Sequence, residues 1–138
     1  MNVSDIKKGA AVIKEIWEFL NSTEVKDLLN DIIEKTEHKL TFDEYCRMLS
    51  KSIDEIILKV QREKNFTCYG GEINFKIDND SKYICFSVDM YFQDKDKQWY
   101  KQTQGGTTRL SKFHESAAAK INEIKENGGY SMEIEPPQ

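Results

Sequence analysis

Lys82–Phe92 reads KYICFSVDMYF, and its two alternate sets of side chains differ sharply. Ile84, Phe86, Val88, Met90 and Phe92 are all apolar, whereas Tyr83, Cys85, Ser87, Asp89 and Tyr91 are small, aromatic or polar. Successive side chains on a strand point to opposite faces, so this pattern predicts a strand with one core face and one half-open face. Upstream, Asp78-Asn79-Asp80-Ser81 is turn chemistry, because Asx side chains bond their own backbone. Before it, Ile73, Phe75 and Ile77 predict a strand over Glu72–Ile77, with Gly70-Gly71 read as a breaker. Downstream, the turn Asp94-Lys95-Asp96-Lys97 leads to a third strand, Gln98–Thr103, and Gly105-Gly106 is expected to close the meander.

The C-terminal part continues with a helix over Ser111–Glu126, whose buried line is Leu110, Phe113, Ala117, Ile121 and Ile124. Gly128 fits the left-handed position that ends a helix. Tyr130–Ile134 then alternates as a last strand, and Pro136-Pro137 suits a sheet edge. The N-terminal part reads as three helices. The first covers Ser4–Leu20, with Ser4 as cap and Ile6, Ala10, Ile13, Trp17 and Leu20 at helical steps. A second follows the break Asn21-Ser22-Thr23 and carries Val25, Leu28, Leu29, Ile32 and Ile33. The third opens with a capping box, Thr41 and Glu44, and runs through Tyr45, Leu49, Ile53, Ile56, Ile57 and Val60. The expected fold is a single α+β domain over 1–138, helical over 1–65 and β-β-β-α-β over 66–138. Its helices are expected to pack on one face of an antiparallel sheet.

Composition narrows the function. Hydrophobic residues make up 38% and aromatic ones 11%, enough to fold one core. A net charge of −4 argues against wholesale nucleic-acid binding. No apolar run approaches the ~18 residues of a membrane span, and MNVSDIKKG lacks the apolar core of a signal peptide. Cys46, Cys68 and Cys85 are odd in number and form no CxxC pair, so free thiols in a reducing cytoplasm are expected. No P-loop, dinucleotide fingerprint, EF-hand, HExxH or GxSxG occurs. His38 and His114 lack clustered partners and read as surface residues. No catalytic residue, metal or cofactor is expected.

Two resemblances attach to particular residues. The order helix, three strands, helix, strand resembles that of PD-(D/E)xK nucleases, which would make Asp89 the first metal-holding acid and Lys101 the lysine. That family carries Asp, Glu or Gln two residues before the lysine, where this chain has Trp99. Three strands followed by GGTTRLSKFHESAAAKI are similar to the end of a double-stranded-RNA-binding domain. That likeness implies phosphate contacts by Lys97, Lys101, Arg109 and Lys112 on one basic loop, with Phe113 and His114 where the family has further lysines.

The leading expectation is a non-enzymatic protein-binding domain, such as a bacterial immunity protein that occludes the active site of a basic toxin. A Lys/Asn/Ile-rich composition suits an AT-rich bacterial genome. The expected partner surface uses Tyr83, Asp89, Tyr91, Trp99 and Tyr100, with Lys101 as a partner for Asp89. Acids in the turns, Asp78, Asp80, Asp94 and Asp96, and at Glu133 and Glu135, would steer a basic partner. A homodimer, including a secretion-chaperone-like one, is the near alternative.

Overall fold

The computed structural model describes residues 2–16, 33 and 35–137, and its centre is a five-stranded sheet of order β1-β4-β3-β2-β5. The strands are β1 Ile13–Glu15, β2 Thr67–Ile77, β3 Tyr83–Gln93, β4 Trp99–Arg109 and β5 Tyr130–Ile134. The described helices are α1 Val3–Gly9, α2 Phe42–Lys64 and α3 Ala118–Asn127, with short 3-10 turns at Leu110–Lys112 and Glu115–Ala117. The α+β class therefore stands.

The apolar set of β3 is the floor of the core. Ile84, Phe86, Val88, Met90 and Phe92 are all 3% exposed or less. Antiparallel pairing sets Ile73, Phe75 and Ile77 of β2 beside them on the same face. Over this face lies α2, burying Tyr45, Leu49, Ile53, Ile56, Ile57 and Val60. Its start is the predicted capping box: Thr41 Oγ1 accepts from Glu44 N at 3.1 Å and Glu44 Oε1 accepts from Thr41 N at 3.2 Å. Asn65, left-handed at φ 59°, ends it. At 23 residues it is about 34 Å long, enough to cross the sheet. α3 completes this layer with Ile124, and Gly128 (φ 73°) ends it as expected.

Glu44 also holds His38, Nε2 to Oε2 2.8 Å. The hydrogen bond from His38, then that from the Thr41 backbone, holds the Glu44 carboxyl below its ordinary 4.5. A carboxyl lowered in the folded state stabilises above its unfolded value, and that contribution fades as pH falls through the folded one. Thermal unfolding should therefore lose midpoint as pH drops below about 4.5, and Glu44→Gln should flatten that limb. An unchanged acid limb in Glu44→Gln would remove this pair from the account.

The topology departs from expectation in five places. First, the N-terminal helix is capped by Asn2 rather than Ser4 and stops at Gly9. Ile13–Glu15 instead adds in parallel to Trp99–Lys101, where the sheet edge satisfies its backbone. Glycine and the β-branched Val12-Ile13 disfavour continuing the helix. Trp17 to Leu20, and the second expected helix apart from the buried Ile33, lie outside the described residues. Second, Gly70-Gly71 does not break the chain. β2 begins at Thr67 and passes through both glycines with a bulge between Cys68 and Gly70.

Third, Gly105-Gly106 lies inside β4, which extends to Arg109. The core-facing Gln102 and Gln104 of that strand are buried, and both side-chain polar atoms of Gln102 lack a hydrogen-bond partner among the described residues. Each orphaned polar atom costs roughly 1–3 kcal/mol. Fourth, the last helix starts at Ala118, because the preceding backbone bonds elsewhere: Leu110 N to Lys82 O, and His114 N to Leu40 O. Fifth, the helices do not all share one face, since α1 lies on the other. Among the described residues, no helix is long and apolar enough to cross a membrane.

Candidate functional site

The second face of the sheet is shared between α1 and an open groove. Val3 and Ile6 of α1 are 4% and 1% exposed, and they pack with Tyr91, Tyr69, Trp99 and Ile13 in a cluster separate from the main core. Tyr91 is thereby covered and 2% exposed. Burial, then the charge of Asp89, raises its phenol above the ordinary value. Trp99 meets Tyr69 edge-on at 5.3 Å between ring centroids. This half of the face is closed by the chain itself.

The next row toward the open half is acidic. Glu72 stands directly opposite Asp89 on β3 and directly opposite Glu133 on β5. Like charges facing each other across strands destabilise, so such a row calls for cations. One is present: Lys7 of α1 reaches Glu72 at 2.6 Å, and that hydrogen bond raises the lysine above its ordinary value. Asp89 accepts from Thr103 Oγ1 at 2.7 Å, a neutral donor that leaves its charge in place. Glu133 is exposed.

Beyond the acidic row the face is open. Asn74 pairs with Ser87 on one side and Ser131 on the other, and the next row holds Lys76 opposite Cys85. These residues, with the turn at Asn127, Gly128 and Gly129, line a groove of about 570 Å³. Its floor is made of short polar side chains, with Ser131 Oγ donating to Asn74 Oδ1 at 2.5 Å. Short side chains let another molecule approach the sheet closely. Cys85 is half-buried at this floor.

The residues expected from sequence are scattered by this fold. Asp89 lies beside the groove and Tyr83 is exposed at its far end, but Tyr91 and Trp99 are under or against α1. Tyr100 is on the opposite face, stacked on Phe66 at 4.5 Å, with its hydroxyl donating to Asp94 Oδ2 at 3.2 Å. Asp78 and Asp94 sit at opposite ends of the sheet and hold their own turns. Asp78 Oδ1 accepts from Lys82 N and Tyr83 N, and Asp94 Oδ1 from Asp96 N and Gln98 N. Asp80 and Asp96 are exposed in those turns.

Two pairings change. Lys101 does not face Asp89: it stands opposite Tyr91 and lies 4.0 Å from Glu15, because the antiparallel register places Thr103 across from Asp89. The supposed basic loop is the strand β4, which sets Lys97 about 35 Å from its far end at Arg109. Lys97 is a left-handed turn residue (φ 62°), and Lys112 donates to the Thr36 carbonyl. Four cations so placed do not form one patch.

Lys7, Glu72, Asn74, Lys76 and Ser131 were missed from the sequence. The signal was there in part, since Glu72, Asn74 and Lys76 are the alternate set to Ile73, Phe75 and Ile77. Among the described residues, no group of three or more His, Cys, Asp or Glu side chains is gathered closely enough to hold a metal ion. No known family, curated protein or solved structure matches this chain.

Proposed function

We propose that the chain is a non-enzymatic binding domain that captures a basic protein, as an inhibitor occluding a toxin's cleft would. One observation carries this reading: an open groove floored by Asn74, Ser87 and Ser131, with Lys76 in its far row, runs alongside a row of three carboxylates, Glu133, Glu72 and Asp89, of which Glu72 holds a lysine. A partner presenting Lys or Arg over that row gains charge-assisted hydrogen bonds and relieves the repulsion within it. The acidity of the whole chain, −4, adds long-range steering that weakens with salt. The acidic turn at Asp78–Asp80 contributes to this field from one end of the sheet.

The test is affinity capture from the source cell by the full chain and by two variants, read by mass spectrometry and then by binding to the purified partner. Asp89→Asn keeps an oxygen for Thr103 while removing charge, and Ser87→Arg puts a cation on the groove floor. A dominant basic protein should be captured, with affinity falling at least about tenfold in Ser87→Arg and declining with salt. Nucleic acid as the captured species, or a partner retained equally by both variants, would sink the reading.

A further inference from the structure

Among the described residues β5 ends the sheet, so its outer edge offers backbone groups for pairing. The opposite end of the sheet is partly closed by β1 on Trp99–Lys101. Beside β5 on the core side lies an unfilled groove of about 480 Å³ lined by Asp43, Cys46, Arg47, Ser50 and Met132. Neither Asp43 nor Arg47 has a hydrogen bond or ion pair among the described residues, although each is exposed and one helical turn from the other.

We infer that β5 is the seat of a two-fold homodimer in which the β5 strands of two copies pair antiparallel about Met132. The sequence of the edge is self-complementary in that register. Met132 meets Met132 of the second copy, Ser131 meets Glu133, and Tyr130 meets Ile134. A hydroxyl faces each carboxylate, and apolar side chains face each other on the α2 side. Centring the pair on Glu133 would set two carboxylates against each other, and centring it on Ser131 would shorten the overlap. The register through Met132 is therefore selected by charge and by length.

The helix above reinforces the same axis. Cys46 Sγ lies 3.8 Å from Met132 Sδ, which places the Asp43–Arg47 turn of α2 next to the strand's midpoint. A two-fold axis through Met132 passes beside that turn and reverses it in the second copy. Asp43 of each copy then faces Arg47 of the other, and four ions that lack partners among the described residues become two pairs. An isologous interface requires this kind of self-match. The result joins two five-stranded sheets into one of ten, with the grooves of the second face left open.

The experiment is sedimentation of the full chain over a concentration series. The mass should move from the 16.1 kDa of one chain to twice that value. Arg47→Asp should raise the dimer dissociation constant at least about tenfold, and adding Asp43→Arg should restore it, since the swapped charges again match across the axis. In a Cys46→Ser background, Met132→Cys should give a disulfide-linked dimer under mild oxidation, whereas Glu126→Cys should not. A monomer at every concentration overturns the inference, as does a dimer that ignores Arg47→Asp and stays unlinked at Met132→Cys. Both readings use Glu133 and Ser131, so they are told apart by residue: Arg47→Asp and Met132→Cys report on the edge, and Ser87→Arg reports on capture of a basic partner.

Discussion

Phe75→Ala should cost about 3–5 kcal/mol of folding stability, the range for emptying a buried aromatic site. Phe75 is 2% exposed and occupies the middle of β2, between Phe86 on β3 and Tyr130 on β5. Its ring meets Phe42 at 5.8 Å and Tyr45 at 6.0 Å, both from the first turns of α2, and stacks on Tyr130 at 6.2 Å. One side chain thus ties the long helix to β2 and to its two neighbouring strands. Tyr45 is held from behind by Thr108 at 3.1 Å and by Phe113 at 4.9 Å, so the surroundings cannot collapse freely into the cavity. Urea unfolding should show a lower midpoint with the slope kept, and Phe75→Leu should recover more than half of the loss. A loss under about 1 kcal/mol would mean that the cluster is loosely packed.

Gly71→Ala should cost about 1–3 kcal/mol for a single methyl group, the penalty of overpacking. A Cβ at Gly71 would lie 2.4 Å from the Asp89 carbonyl oxygen and 3.4 Å from Met90 Cα. Both are backbone atoms of the neighbouring strand, so no rotamer change can make room. The two strands must separate or the adjacent bulge must shift, and either displaces Asp89 in the acidic row. Gly9→Ala is the control, because nothing lies within 4 Å of that position. It should be neutral or stabilising by up to about 1 kcal/mol, as expected for glycine in a helix. Equal effects at the two glycines, read by thermal melts, would refute the close-approach argument.

These two residues show why some of the fold was legible and some was not. Phe75 was assigned correctly because alternation along a strand is a local signal, as were the Thr41–Glu44 box and the Gly128 stop. Gly71 was misread because glycine punctuates a sequence and also permits close approach of strands, and only the position of Asp89 distinguishes the two. Ile13 fits the helical spacing of Ile6 and Ala10 equally well, yet it lies in a strand because β4 offers it backbone partners. Within the site, Asp89 was legible as a carboxylate on the second face of β3. Its partner was not: Lys101 on the next strand was expected to face it, but register gives Asp89 to Thr103.

By itself the sequence determined that β3 has a core face and a second face, that α2 is capped at Thr41, and that charged turns separate β2, β3 and β4. All of these depend on residues within a few positions of one another. The tertiary structure alone decided that α1 closes half of the second face. It also decided that Glu72, Asp89 and Glu133 share one row and that Asp43 and Arg47 flank the edge strand's midpoint. Those groupings depend on strand order and register, which join residues far apart in the chain, and the alternation of any single strand carries no record of its neighbours.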